Sequence, residues 1–174
     1  MFLSPLYLSL WFMSLFSQAS IPVANYWTAL SKSRQAKLGT PRIRPTSYRV
    51  LALDLPALKT YLQKVPTTGT APTPLALPLP NGTRRSFQVQ LSGVMAPELA
   101  AKYPELRAYI GRALGAPGTD ARFEVSATGL RAMITAEGKV YLIESYRTGD
   151  TRHYICFDKA QMPPGSKRWQ EPSN

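Results

Sequence analysis

Apolar and polar residues alternate over several short stretches of the chain, and this two-residue period predicts β-strands. Tyr48 to Leu55 (YRVLALDL) places Leu51, Leu53 and Leu55 on one face. Ser86 to Leu91 (SFQVQL) sets Phe87, Val89 and Leu91 inward and Gln88 and Gln90 outward. Three more β-patterned segments run from Arg122 to Ser126, Leu130 to Thr135 and Lys139 to Tyr146, with turns at Thr128-Gly129 and Glu137-Gly138. A fourth, Arg152 to Asp158 (RHYICFD), follows Thr148-Gly149-Asp150. Short strands spaced by about ten residues predict an antiparallel sheet or sandwich.

Helical spacing is rarer. Asp54 is placed to cap a short helix with Pro56 in its first turn and Leu58, Tyr61 and Leu62 on one face. Pro66 to Pro74 reads as a loop, and Leu75 to Leu79 as extended, because each proline pushes its predecessor out of the helical region. Pro80-Asn81-Gly82-Thr83 predicts a hairpin turn. In Pro97 to Leu114, Leu99, Tyr103, Leu106, Tyr109 and Ile110 recur at helical spacing, with Pro104 dividing the helix in two and Gly115 to Gly118 ending it. The expected fold is mainly β, with α+β as the alternative: an antiparallel, sandwich-like sheet with one broken two-part helix and one short helix. Residues 20–47, with Pro22, Pro41 and Pro45, read as an extended lead-in that packs through Tyr26 and Trp27. Residues 48–160 form the domain, and 161–174 a Pro/Gly/Ser-rich tail or linker.

The amino-terminal end changes the setting. Met1 to Phe16 (MFLSPLYLSLWFMSLF) carries no charged side chain, and the first basic residue is Lys32. Ser17-Gln18-Ala19 supplies small residues where signal peptidase needs them, so residues 1–19 are expected to be a signal peptide cleaved after Ala19, although a basic n-region is missing. The apolar run falls short of the roughly 20 residues a bilayer span takes. The expectation is a secreted or periplasmic protein with no membrane span after cleavage.

Composition narrows the chemistry. With 21 Lys and Arg against 10 Asp and Glu, the net charge is +11, which favours anionic partners. The basic residues are scattered singly, with no recognition-helix, zinc-finger or RNP pattern, so no nucleic acid is expected. Cys156 is the only cysteine and His153 the only histidine. An intrachain disulfide and a His-rich metal site are therefore excluded, and a Ser-His-Asp triad has only His153 to use.

Gly129 to Tyr146 (GLRAMITAEGKVYLIESY) resembles the Gly-Leu-Arg-(small)-Leu/Ile … Tyr-Leu-Ile-Glu-Pro core of the prodomains of reprolysin-like (ADAM-type) zinc metalloproteases, with Ser145 in place of the motif's proline. The wider order is similar to the pro-regions of exported bacterial members of that family. Its pieces here are Tyr48 to Asp54, Leu77 to Gly82 with Pro80, Phe87 to Val89, Pro97 to Glu105, and Tyr109 to Gly111. The motif residues carried over are Tyr48, Asp54, Pro80, Gly82, Pro97, Glu98, Tyr103, Pro104, Gly129, Leu130, Ile134, Tyr141 and Ile143. In that family a catalytic domain with a His-Glu-x-x-His-x-x-Gly-x-x-His zinc helix follows the pro-region, and this sequence, which runs to Asn174, carries no such motif. The resemblance implies a non-catalytic, monomeric protein without a cofactor that binds a metzincin catalytic domain as folding aid and latency inhibitor, or a truncated remnant of such a protease. A free-standing secreted β-sandwich module for adhesion or ligand binding is the alternative, and a hydrolase using His153 with a serine or Cys156 is the second rival.

Two residues invite chemistry. Cys156 would be the zinc-switch thiolate of some metzincin pro-regions, but it sits between Ile155 and Phe157 in a strand pattern and without a Pro-x-x-Cys-Gly context, which favours a buried hydrophobe. His153 with Asp150 or Glu144 would be an acid/base pair, against the simpler reading of a surface histidine. Glu144 reads as an exposed strand residue or a cross-strand partner for Arg131 or Arg147.

Overall fold

A computed structural model describes residues 23–66, 73–93, 97–103 and 105–163. The predicted signal peptide, Pro104 and most of the predicted tail lie outside the described residues. Nine strands form one sheet: β1 (Trp27–Ala29), β2 (Arg49–Leu53), β3 (Pro74–Pro78), β4 (Arg84–Leu91), β5 (Arg107–Ala113), β6 (Asp120–Ser126), β7 (Gly129–Ala136), β8 (Lys139–Ser145) and β9 (His153–Asp158). Their spatial order is β1-β2-β9-β8-β7-β6-β5-β4-β3, and every pairing is antiparallel. The chain from β3 to β9 is thus an up-and-down meander, and β2 and β1 extend it past β9. The protein is mainly β, with the two faces expected of a sandwich supplied by opposite walls of one sheet.

The two outer strands of that sheet come together. Ala24, just ahead of β1, bridges Leu75 of β3 in parallel. Its N–H donates to the Pro74 carbonyl at 3.3 Å, and its carbonyl accepts from the Ala76 N–H at 2.9 Å. The Arg84 guanidinium reaches the Trp27 carbonyl at 3.2 Å, and the Tyr61 hydroxyl donates to the Pro74 carbonyl at 2.7 Å. These bonds make the sheet a nearly closed barrel without a full ladder at the seam.

Alternation fills the barrel. Phe87, Phe123, Leu130, Ile134, Ile143 and Tyr154 point inward from β4, β6, β7, β8 and β9 and belong to one buried cluster, each worth about 1.5–3 kcal/mol of burial. Tyr154 meets Trp27 edge to face at 5.4 Å. Its hydroxyl accepts from the Leu130 N–H at 3.2 Å and donates to the Thr151 carbonyl at 3.1 Å. Helix α2 follows β2, spans Leu55–Leu62 and closes one end with Leu55, Leu58 and Leu62. Asp54 caps it, accepting from the Ala57 N–H at 3.1 Å. At the other end the β3–β4 turn folds over the mouth, where a Cβ on Gly82 would lie 1.9 Å from the Arg49 guanidinium. Gly82 takes the left-handed conformation (φ 93°) while Asn81 does not, so this is a type I turn closed by a glycine bulge.

A second cluster lies outside the barrel. Val50, Leu142, Ile155 and Phe157 point outward from β2, β8 and β9 and are buried with Tyr146. They are covered by Leu30, Leu38 and Ile43, from a strap over residues 30–47 that includes helix α1 (Lys32–Ala36), and by Met162. The strap is held by the Arg42 N–H to the Tyr146 carbonyl at 2.8 Å, the Thr46 N–H to the Gln161 carbonyl at 2.9 Å, and the Arg147 side chain on the Leu38 carbonyl. The segment expected to be a plain extended lead-in thus supplies β1, α1 and this roof.

One element departs from expectation. Helix α3 spans only Pro97–Lys102, and the predicted second helical half is strand β5. Tyr109 and Gly111 face inward there, while Ala108, Ile110 and Arg112 face outward. Over so short a run the apolar spacing fits either period, and pairing on both sides by β4 and β6 decides it. Gly111 suits the strand because a Cβ at that position would come within 3.1 Å of the Phe87 Cβ.

Two turn residues give a paired test. Glu137 holds φ 53° in the β7–β8 turn, the left-handed region that disfavours a side-chain-bearing residue by roughly 1–2 kcal/mol, and Asn tolerates it better. Gly129 has φ 128°, and a Cβ there would lie 3.0 Å from the Tyr154 hydroxyl. Urea denaturation is expected to show Glu137→Asn stabilised by about 0.5–1 kcal/mol and Gly129→Ala destabilised by about 1–3 kcal/mol. The opposite order would contradict these turn geometries.

Candidate functional site

The inward position on β9 that carries Cys156 is fully buried, with the sulfur 3.5 Å from the Pro78 carbonyl. Burial pushes its thiol up to about 12, against a smaller opposing pull from Arg49. A group in this state is a neutral thiol at physiological pH, and a zinc ion could reach it only through the barrel wall.

His153 stands on the outward face of the same strand. Its Nδ1 lies 3.1 Å from Asp150 Oδ2, and Asp150 Oδ1 accepts the backbone N–H groups of Arg152 and His153, each at 2.9 Å. Burial alone would raise the Asp150 carboxyl, but these hydrogen bonds and the imidazole outweigh it and hold the group below the usual carboxylate range. The pair closes the β8–β9 loop. Cys156, three residues on, projects to the opposite face, so thiol and imidazole do not meet.

Glu144 is not the exposed strand residue that was one of its two expected readings, because two arginines cover it. It points outward from β8 yet its side chain keeps only 7% of its exposure. Arg131 Nε approaches it at 3.2 Å from β7, and Arg42 approaches it at 3.2 Å from the strap. Arg131 also faces Glu124 of β6 at 3.9 Å. The hydrogen bond and charge of Glu144 hold Arg131 above the ordinary guanidinium range. Of the two partners proposed for Glu144, the structure brings Arg131 to it, and it adds Arg42. Through Arg42, this carboxylate ties the strap to the outer face of the sheet.

Beside this ladder lies an open groove of about 600 Å³, a volume within the range of ligand pockets. Its floor is an outward row in which Ile110 pairs with Arg122, Arg122 with Met133, and Met133 with Leu142. Ala108 and Gly93 border it. Met133 is 40% exposed at an outward position of the row. Among the described residues Arg122 makes no ion pair. The row continues from Leu142 to Phe157, where the strap takes over as cover. Sequence reasoning missed Ile110 because it was assigned to a helix. Met133 carried a readable signal, an apolar residue at an outward position between Arg131 and Thr135.

The motif residues carried over from the family do not converge on this groove or on any other single place. Leu130, Ile134 and Ile143 are buried wall residues of β7 and β8, Tyr141 is half-buried, and Gly129 and Gly82 shape turns. Asp54 caps α2, Pro80 sits in the β3–β4 turn, and Tyr48 is an exposed residue entering β2. Pro97 begins α3, Glu98 is exposed along it, Tyr103 is exposed just past its end, and Pro104 is outside the described residues. Among the described residues no group of three His, Cys, Asp or Glu is close enough to hold a metal ion. No described helix is long and apolar enough to cross a membrane.

Cys156 supplies a direct test of the closed wall. Native protein at pH 8 is expected to leave the thiol unmodified by 5,5′-dithiobis(2-nitrobenzoate) over hours, with one equivalent reacting after unfolding in urea. Because the folded value is raised, the stability that the neutral thiol contributes is complete below the unfolded value near 8.5 and is lost as pH rises toward about 12. Cys156→Ala should therefore lose less stability than the parent between those limits. Rapid native modification would contradict the buried placement. No protein-family model, curated protein or solved structure matches the chain.

Proposed function

We propose that this chain is a non-catalytic, exported binding domain that packs against a zinc metalloprotease of the reprolysin-like class, as folding aid and latency inhibitor. The observation that carries the binding half of this reading is a barrel interior filled by its own side chains, which leaves the outer surface to recognise a partner. The single interior thiol, Cys156, is protonated and walled off, so the reading does not invoke a zinc-switch thiolate. Inhibition would instead come from covering the protease cleft.

The partner class rests on the resemblance. Its motif segments fall in order on β2, the β3–β4 turn, β4, α3, β5 and the β7–β8 hairpin, so they span the whole framework rather than one strand pair. The net charge of +11 suits a partner with an acidic face. Such attraction steers association and weakens with salt.

The test is enzymatic. Purified chain is titrated into the catalytic domain of a reprolysin-like metalloprotease hydrolysing a fluorogenic peptide. Saturable loss of hydrolysis is expected, with inhibition weakening at least tenfold as salt rises from about 50 mM to about 500 mM. Undiminished hydrolysis with a large excess of chain would overturn the protease reading and leave the free-standing binding module.

A further inference from the structure

The outward face of β5 to β9 carries one apolar strip that the described residues cover over only part of its length. On β9, β8 and β2, the residues Phe157, Ile155, Leu142 and Val50 are roofed by the strap through Leu30, Leu38 and Ile43. The strip then continues along the paired row Leu142, Met133, Arg122, Ile110, and there it lies open as the groove. The covered part shows how such a face is satisfied, by a run of chain that lays apolar side chains on it and fixes itself with one charge. In the strap that charge is Arg42, and the barrel offers Glu144 to it.

The open part is lined by two arginines, Arg122 and Arg131, and two glutamates, Glu124 and Glu144. Arg122 stands in its floor with no acidic partner among the described residues, and Arg131 stands beside it with a side chain 60% exposed. Glu124 and Glu144 are already engaged with Arg131. The next segment to extend the roof therefore needs apolar side chains for Ile110 and Met133 and a carboxylate for Arg122.

We propose that this groove receives an extended, acidic segment of the partner protein, laid beside the strap with apolar residues over Ile110 and Met133 and a carboxylate on Arg122. The proposal deepens the binding function above by naming where the partner docks and with what chemistry. It rests on that function only for the partner's identity. Continuity with the strap interface and the unmatched charge of Arg122 carry the rest. A groove of about 600 Å³ accommodates a few residues of such a segment, so a short isolated peptide should bind weakly and its charge should matter.

The test uses the full chain and two capped pentapeptides, Glu-Leu-Glu-Leu-Glu and Lys-Leu-Lys-Leu-Lys, followed by methyl and amide NMR shifts. Saturable shifts centred on Ile110, Met133 and Leu142 are expected with the acidic peptide, and at least tenfold weaker binding with the basic one. Arg122→Glu should reverse that preference and Met133→Asp should abolish binding of the acidic peptide, both with unchanged melting temperatures because both positions are exposed. Lys139→Glu, an equal charge change outside the groove, should leave acidic-peptide affinity within about twofold of the parent. Equal binding of the two peptides, shifts centred elsewhere, no saturable shift, or an equal loss in Lys139→Glu would each overturn the proposal. So would tighter uptake of decanoate than of peptide, which would make the groove a lipid site, or self-association without peptide that Met133→Asp removes. If peptide binding follows expectation but no metalloprotease is inhibited, the groove stands and the protease reading falls. If a metalloprotease is inhibited equally by parent, Arg122→Glu and Met133→Asp chains, the groove assignment falls and the protease reading stands.

Discussion

Closure of a single sheet over a filled interior is the constraint on which the rest of this structure depends. A meander from β3 to β9 leaves two edges, and an open edge in a small β protein invites pairing with another chain. Here β2 and β1 carry the sheet round until Ala24 meets Leu75, and side chains from Arg84 and Tyr61 finish what three-residue β1 cannot. Once closed, the wall must be filled from inside, and Trp27, Phe87, Phe123 and Tyr154 do so in one cluster. Helix α2 and the Gly82 turn then cover the two ends. Chemistry that needs solvent or a partner is thereby displaced to the outside.

The outside is not uniformly polar, and this is the second consequence. β2, β8 and β9 carry apolar residues on both faces, as strands buried on both sides do, because the strap of residues 30–47 is a second layer over them. The strap costs chain entropy to order, and Arg42 on buried Glu144 together with the backbone bonds to Tyr146 and Gln161 offsets it. Where the strap stops, the same row runs on over Met133 and Ile110, now accompanied by Arg122, which makes no ion pair among the described residues. The outer face is thus built in two halves of one design, one covered from within and one presented outward.

Much of this was legible in the residues, and the failures have physical causes. Alternation predicted strands β4, β6 and β7, and in β4 also the inward set Phe87, Val89 and Leu91, because each of those strands has one wetter face. Asp54 with Pro56 predicted a capped helix, and Glu137-Gly138 a tight turn, because the chemistry is local. The strand Arg107–Ala113 was not legible: its short apolar run suits both periods, and only the partners on either side, far apart in sequence, select one. The strap was missed for a similar reason. Leu30, Leu38 and Ile43 lie eight and five residues apart with no local period, and they gain their place only from Val50, Ile155 and Phe157. The groove followed the same rule, since an exposed apolar site is visible as a site only when the row across β5, β6, β7 and β8 is known.

Closure at the seam is tested most directly by native-state hydrogen exchange at two amides. The Ala76 N–H, bound to the Ala24 carbonyl at 2.9 Å, and the Ala24 N–H, bound to the Pro74 carbonyl, belong to the seam. If the barrel is closed, both exchange far more slowly than free amides, and Ala76 approaches the protection of β6 and β7 amides that open only with global unfolding. If β3 and β1 are free edges, both amides exchange by local fraying at close to unprotected rates while β6 and β7 stay protected, and the closed barrel is wrong.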